Sequence, residues 1–180
     1  MQKIYIIRHC KAEGQPAESR LTDEGVNQSY ELAEFFTSIP VNRIISSPYT
    51  RAVDSIKPLS NKKDINIEID QRLVERVLST EDLPDWMEKL EETFHNKNLK
   101  FPGGESSEEA LSRIVGVIDD IVQSDVDSSV IVTHGNLMAL LLNYFDHQFG
   151  FDQWKLLTNP DVFLLTLDKK GVNVKGIWND

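Results

Sequence analysis

The chain alternates short apolar runs, rich in β-branched residues, with longer stretches of helical periodicity. Runs of the first kind lie at residues 3–7, 43–47, 65–69, 129–133, 162–167 and 172–177. Strand–helix alternation of this kind is typical of a mostly parallel sheet covered by helices. We therefore predict one α/β domain over residues 1–180, a three-layer αβα arrangement with a mostly parallel central sheet. A tight turn at residues 169–171 is predicted to join the last two strands.

Local signals predict where several helices begin. Thr22 is predicted to cap one helix, and Ser106 with Glu109 forms a capping box for another. Ser47 and Pro48 are typical of an N-cap and a first helical position, so a third helix is expected to begin there. The i, i+4, i+7 spacing predicts the apolar face of the first helix as Val26, Tyr30, Ala33 and Phe35 or Phe36.

Residues 79–101 are expected to form an acidic helical insert that covers the functional site as a lid. Trp86, Leu90 and Phe94 have the spacing of one helix face, and most of the remaining positions are charged or polar. A lid with this composition would select among the ligands of the site. Its acidity disfavours ligands with many negative charges.

Composition narrows the classes of function. The 180 residues carry a formal net charge of −10, which argues against nucleic acid or an anionic membrane as a partner. The single cysteine excludes an intramolecular disulfide, and the N-terminus passes directly into a strand without a signal-peptide pattern. These features predict a cytoplasmic protein with no membrane segment.

Two of the apolar runs end in histidine. Arg8 and His9 follow the first run, and His134 with Gly135 follows the run at 129–133. The carboxyl ends of parallel strands form the usual ligand crevice of an α/β sheet. Imidazole can act as a nucleophile or base near neutral pH, and guanidinium suits phosphate oxygens. Together these residues predict phosphoryl chemistry at one edge of the sheet.

The order of the motifs along the chain resembles the histidine phosphatase superfamily, also called the phosphoglycerate-mutase-like family. The motifs that carry the resemblance are Arg8-His9, Leu21-Thr-Asp-Glu-Gly25, Ser46-Ser-Pro-Tyr-Thr-Arg51-Ala, Leu73-Val-Glu-Arg76, Pro102-Gly-Gly-Glu-Ser106 and His134-Gly135. Each motif is weak alone, but their number and order are specific. The resemblance implies a phosphoglycerate-mutase-like fold and a small, phosphatase-type member of the family.

The resemblance also implies roles for single residues. His9 falls on the nucleophile, which attacks phosphorus and forms a phosphohistidine. Glu75 falls on the general acid, which protonates the leaving oxygen and then activates water. The other matched positions bind phosphate or the rest of the substrate: Arg8, Arg51 and His134 for the phosphate, and Gly14, Gln15, Arg76 and Gly135 for the substrate. From the residues alone, Glu75 could instead be an exposed carboxylate paired with Arg72 or Arg76. Arg51 and Arg76 could likewise be surface cations.

Two positions depart from the family's pattern. Cys10 stands where a glycine is common, and its thiol either narrows the pocket or, as we favour, points into the core. Adjacency to His9 leaves a redox-sensitive site as the alternative. Val77-Leu78-Ser79 replaces a turn that commonly contains glycine, which bears on where Glu75 lies.

The leading hypothesis is therefore a phosphomonoester hydrolase that acts on a small phosphorylated metabolite. It is expected to need no metal and no cofactor, because the sequence lacks a cluster with metal-ligand spacing. The alternatives are a phosphoglycerate-type phosphomutase, a small protein-phosphohistidine phosphatase and a non-catalytic module that binds a phosphorylated ligand. The physiological substrate and the oligomeric state cannot be read from the sequence.

Overall fold

The computed structural model describes residues 1–168 and 171–178. Its strands, in chain order, are β1 (Gln2–Arg8), β2 (Arg43–Ser46), β3 (Ile67–Ile69), β4 (Ser128–Thr133), β5 (Asp161–Asp168) and β6 (Gly171–Gly176). They form one sheet in the order β3-β2-β4-β1-β5-β6. The β3-β2-β4-β1 part is parallel, and β5 and β6 add antiparallel strands beyond β1. The predicted mostly parallel sheet is confirmed, whereas residues 169 and 170 of the predicted last turn lie outside the described residues.

Helices cover both faces of the sheet. They are α1 (Asp23–Phe35), α2 (Thr50–Lys63), α3 (Trp86–His95), α4 (Ser107–Val122), α5 (Gly135–Phe145) and α6 (Phe151–Leu156), with a 3₁₀ turn at Gln71–Leu73. On β1, Ile4 and Ile6 belong to the core that includes α4 and α5, whereas Tyr5 and Ile7 belong to the core that includes α1 and α2. A strand that is apolar on both faces requires a layer on each side, so the three-layer prediction is confirmed.

The helix caps agree with the sequence at two positions and differ at a third. The Thr22 hydroxyl accepts the Gly25 N–H at 3.0 Å, and the capping box of Ser106 and Glu109 is formed. The helix predicted to open at Ser47 and Pro48 instead begins at Thr50. The Ser47 hydroxyl lies 2.8 Å from His134 Nε2, so this side chain serves the neighbouring strand end rather than a helix.

The predicted apolar face of α1 is confirmed at Ala33 and Phe36, which are buried, and wrong at Val26 and Tyr30. Tyr30 is 62% exposed and Val26 is exposed as well, whereas Leu32 and Ala33 are buried. Small residues explain the rotation, because a Cβ on Gly25 would lie 2.0 Å from the Lys11 carbonyl oxygen. The helix therefore approaches the loop after β1 along its small residues and leaves two larger side chains in solvent.

The 65–69 strand is shorter and more exposed than its alternation predicts. Only Ile67–Ile69 forms β3, and Ile69 is exposed. Its position at the edge of the sheet explains this, because an edge strand has less surface to cover.

Candidate active site

The carboxyl ends of β1, β2 and β4 meet at one edge of the sheet. Just past these ends the backbones remain hydrogen-bonded, with His9 N–H to Thr133 O at 3.1 Å and Ser47 N–H to Val132 O at 2.9 Å. This register places His9, Ser47 and His134 side by side. The predicted gathering of the two strand-end histidines is therefore observed, with the two ring centroids 5.1 Å apart.

His9 is arranged as a neutral imidazole with one free lone pair. Its Nδ1 lies 2.7 Å from the Cys10 carbonyl oxygen, so this nitrogen carries the proton and donates it. Its Nε2 accepts the Arg51 Nε–H at 3.2 Å. Burial lowers the pKa of His9 to about 4, and the positive charges of Arg51 and Arg8 act in the same direction. Near neutral pH the Nε2 lone pair is therefore available for nucleophilic attack.

His134 lies deeper than His9 and is fully buried. Its Nε2 is 2.8 Å from the Ser47 hydroxyl, and its Nδ1 has no hydrogen-bond partner among the residues described. Burial lowers its pKa well below the ordinary value, and the charges of His9, Arg51 and other cations nearby add to the effect. This imidazole is held beside His9 as an uncharged neighbour.

Arg51 supplies positive charge from the first turn of α2. It is almost fully buried, and its Nη1 donates to the carbonyl oxygens of Gln15 at 2.9 Å and Pro16 at 2.8 Å. Its guanidinium also lies 4.9 Å from the centre of the Tyr49 ring. Burial lowers its pKa. The interpretation of Arg51 as a surface cation is therefore wrong.

Arg8 supplies a second guanidinium from the end of β1. Its Nη1 donates to the Leu157 carbonyl at 2.8 Å, while its buried Nε has no partner within residues 1–168 and 171–178. Over the same residues, neither Arg8 nor Arg51 forms an ion pair with a carboxylate. Arg51 is buried and Arg8 is half-buried. Two such cations that form no ion pair can bind an anion, and a phosphate group would supply the negative charge.

Glu75 lies at the N-terminus of α5. Its Oε2 accepts the Asn136 N–H at 3.0 Å, and its Oε1 accepts the N–H groups of Leu137 at 2.9 Å and Arg76 at 2.8 Å. A carboxylate is favoured there because the N-terminal amides of a helix have no partners within the helix. The alternative pairing with Arg72 is wrong, since Arg72 forms its ion pairs with Asp70 and Asp120.

A cavity of about 430 Å³ connects these groups. Of the predicted site residues, seven line it: His9, Glu75, Arg8, Gly14, Gln15, Arg76 and Gly135. Arg51 and His134 do not line it, but both contact the His9 ring. Gly135 permits a close approach, because a Cβ there would lie 3.0 Å from Arg8 Nε. The apolar part of the lining comes from Ala12, Leu78, Trp86, Leu90 and Trp154.

The structure corrects the surface interpretation of Arg76 and confirms the core interpretation of Cys10. Arg76 is 5% exposed and donates to Glu105 O and Thr93 Oγ1, each at 3.1 Å. Cys10 is fully buried in the core beneath α1 and α2, and burial raises its pKa to about 11. A thiol in this environment is a poor nucleophile, which argues against the redox-sensitive alternative.

Sequence reasoning missed several polar residues of the site. Asn159 lines the cavity and donates to the His9 carbonyl at 2.8 Å, yet it lies in a loop with no motif around it. Two other residues have a signal in the sequence: Asn136 directly follows the His134-Gly135 motif, and Ser47 is part of the motif that contains Arg51. Among the residues described, no group of three or more His, Cys, Asp or Glu could hold a metal ion. In the same part of the chain, no helix has the length and apolarity to cross a membrane.

The mostly parallel αβα sheet carries a neutral histidine and Arg8 at a strand end, with Arg51 beside them in the first turn of α2. These features define an α/β protein able to bind phosphate. The chain belongs to the histidine phosphatase superfamily (branch 1), whose sequence model matches residues 4–180. The family predicted from the motifs is confirmed, as is the fold class.

Individual relatives include both phosphatases and mutases. Phosphoserine phosphatase 1 of Hydrogenobacter thermophilus is 23% identical over 147 residues, covering 73% of this chain and 70% of the relative. A protein of Erwinia tasmaniensis named "probable phosphoglycerate mutase" is 24% identical over 161 residues, covering 79% and 74%. The structure of a mycobacterial glucosyl-3-phosphoglycerate phosphatase aligns with a TM-score of 0.77 at 21% identity, covering 99% of both chains. This last similarity shows the fold.

Proposed function

We propose that the protein hydrolyses a small phosphomonoester through a phosphohistidine on His9. The observation that carries the proposal is the state of His9. The ring is neutral, its Nδ1 is bonded to a carbonyl oxygen, and its Nε2 faces Arg51, which forms no ion pair among the residues described. A phosphate dianion bound there would lie against the nucleophile and gain charged hydrogen bonds at the same time. The family membership and the phosphatase relatives support the same reaction.

In the first step, His9 Nε2 attacks phosphorus. The Nε2–P bond forms and the bond from phosphorus to the leaving oxygen breaks. Glu75, which must carry a proton when the substrate is bound, gives that proton to the leaving oxygen. The Arg51 Nε–H that points to Nε2 in the ligand-free site turns to a phosphate oxygen instead. Arg8 and His134 stabilise the charge that the equatorial oxygens carry in the transition state.

In the second step, water attacks the phosphohistidine. Glu75 takes a proton from the water, an O–P bond forms and the Nε2–P bond breaks, which releases phosphate and restores neutral His9. Both steps use side chains of this chain only, so we expect turnover to continue in the presence of a chelator, without metal or cofactor.

The experiment that tests the proposal is trapping by an alkaline denaturing quench with a ³²P-labelled phosphomonoester. We expect a label on the wild-type protein that is lost in acid and stable in base, as phosphohistidine is. His9→Asn should lose both the label and turnover. The control is His147→Asn, at an exposed histidine that does not line the cavity, and it should keep both. A label of unchanged amount on His9→Asn would contradict the assigned nucleophile.

The mutase and the binding module remain the competing functions. The curated relatives include a mutase, which would return the phosphoryl group to another hydroxyl of the substrate. Incubation with a phosphoglycerate separates the two reactions, because a hydrolase releases free phosphate and a mutase isomerises without release. A module that only binds would show neither product, although it would bind phosphate at the same arginines.

We also infer that residues 79–101 form a lid that selects the leaving group. Trp86 and Leu90 of α3 line the cavity opposite the arginines, and Trp154 of α6 adds a second indole. The two helices contact each other through Phe94 and Phe151, whose ring centroids are 5.8 Å apart. The charged residues of the segment are mostly acidic. An apolar wall in an acidic segment favours a planar or apolar leaving group over one with further phosphates.

A further inference from the structure

The chain on either side of Glu75 is held by one half-buried ion pair. Residues 74–77 form neither helix nor strand, so contacts from elsewhere must fix where the carboxylate lies. Arg113 of α4 reaches across and donates Nη1 to the carbonyl oxygens of Arg72 at 2.6 Å and Val74 at 2.8 Å. These carbonyls lie three residues and one residue before Glu75, so Arg113 holds the chain as it enters the site.

Glu105 holds the chain as it leaves the site. Its backbone N–H donates to Val77 O at 2.9 Å, its Oε1 accepts Val77 N–H at 3.3 Å, and its carbonyl accepts Arg76 Nε–H at 3.1 Å. Its carboxylate is joined to Arg113 by two bonds, from Nη2 at 2.6 Å and from Nε at 3.1 Å. One forked ion pair therefore joins Arg113, which holds the chain before Glu75, to Glu105, which holds the chain after it.

The pair is sheltered from water but lies outside the reaction cavity. The side chains of Arg113 and Glu105 are 19% and 23% exposed, and neither lines the cavity. Arginine can make these four contacts because its guanidinium is a planar fork, whereas a lysine ammonium cannot span two carbonyls and a carboxylate. Loss of either partner leaves the other half-buried and unpaired.

We propose that Arg113 and Glu105 are positioning residues for the general acid: they hold Glu75 on the N-terminus of α5, where it can protonate the leaving oxygen. This inference rests on the proposed function, in particular on the acid role of Glu75. Because the pair does not touch the nucleophile or the arginines of the phosphate site, its loss should affect the departure of the leaving group and spare the binding of phosphate.

Two substrates that differ in their need for an acid test this inference. Benzyl phosphate releases an alkoxide that needs a proton, whereas 4-nitrophenyl phosphate releases a phenolate that leaves without one. The quantity to compare is kcat/KM, because it covers binding and the transfer to His9 but not the later attack by water. The variants are Arg113→Lys and Glu105→Gln, with Glu75→Gln as the reference and Arg43→Lys, in the exposed ion pair with Glu68, as the control.

We expect Arg113→Lys and Glu105→Gln to lower kcat/KM for benzyl phosphate by about 10- to 100-fold, and for 4-nitrophenyl phosphate by less than about threefold. Glu75→Gln should show the same split more strongly, and Arg43→Lys should change neither substrate. Equal losses on both substrates, or none, would overturn the positioning role. Glu105→Gln retains the size of its side chain, so it decides the matter if Arg113→Lys does not fold.

The reference variant separates two kinds of failure. If Glu75→Gln shows no split between the substrates, the acid role in the proposed function is wrong. If Glu75→Gln shows the split and the two positioning variants do not, only the further inference is wrong.

Discussion

The two sides of the cavity are built differently. The phosphate side takes Arg8 and His9 from the end of β1, His134 from the end of β4 and Arg51 from the first turn of α2, and all four are buried or half-buried. The leaving-group side consists of side chains from α3, α6 and loops, and Trp86 at its mouth is 48% exposed. Under the proposed function, the reacting groups lie at or beside the sheet edge, while the groups that contact the rest of the substrate lie on the helices and loops around it.

If the phosphate side depends on fixed geometry, a change there that retains the charge should still be costly. Arg51→Lys keeps the positive charge but loses the Nη1 bonds to the Gln15 and Pro16 carbonyls and the bond to His9 Nε2. We expect kcat/KM for 4-nitrophenyl phosphate to fall about 10²- to 10³-fold, because preorganised donors stabilise the transition state. Steady-state kinetics with Arg43→Lys as the control measures this, and a loss below about fivefold would show that charge alone suffices.

The same difference explains what the sequence could predict. His9, Arg8 and His134 follow apolar strands, and the carboxyl ends of parallel strands converge, so the strand pattern alone was enough to place these residues together. Arg51 could be assigned only through the family resemblance, because its position in α2 is equally suited to a surface cation. Its burial depends on the loop at residues 15–16 folding over it, which no local pattern encodes.

Predictions were weaker wherever tertiary contacts override local patterns. Periodicity placed Val26 and Tyr30 inside, but the close approach of Gly25 to the chain after β1 turns them outward. Asn159 and Arg113 act through backbone carbonyls far away in sequence, and such contacts leave no signature in composition or spacing. Long-range side chain to backbone bonds are therefore the part of this site that only the folded chain reveals.

On the leaving-group side, truncating a side chain should change the selectivity between substrates more than it changes kcat. Trp86→Ala removes an indole from the apolar wall without touching the phosphate side. We expect KM for benzyl phosphate to rise about fivefold, roughly 1 kcal/mol of lost apolar contact, with kcat little changed. KM for phosphoserine, which is compact and polar, should change by less than about twofold, because it has little apolar surface to bury.

Tyr144→Ala is the matched control for the lid, since Tyr144 is 47% exposed and does not line the cavity. It should leave KM unchanged for both substrates. Equal increases for benzyl phosphate and phosphoserine in Trp86→Ala would contradict the assignment of the lid to leaving-group selection, because they would place Trp86 on the phosphate instead.

The smallest expected effect concerns protonation on the phosphate side. Burial lowers the pKa of His9 to about 4, so one pH unit above this value about nine-tenths of the imidazole is neutral, whereas a histidine with an ordinary pKa of about 6.5 would be mostly protonated. Lowering the pH from 7 to 5 should therefore change the His9 ring signals in NMR spectra of the ligand-free protein only slightly. A titration midpoint near pH 6.5 for the His9 ring signals would show that the phosphate side of the cavity is as hydrated as the lid.

The same shift gives the sign of a stability effect. Because the pKa of His9 is lower in the folded protein than in the unfolded chain, the unfolded chain binds a proton first as the pH falls. The contribution of His9 to the free energy of unfolding should then decrease as the pH falls from about 6.5 toward 4, and this contribution should level off below 4, where both states are protonated. His9→Asn removes this contribution, so its denaturation curves at pH 7 and 5 should differ less than those of the wild type.

A substitution of the exposed His95 by Asn should leave the wild-type difference intact, because its burial changes little on folding. If both variants retain the full pH dependence, the lost stability comes from elsewhere, with His134, which is buried more deeply, as the next residue to substitute.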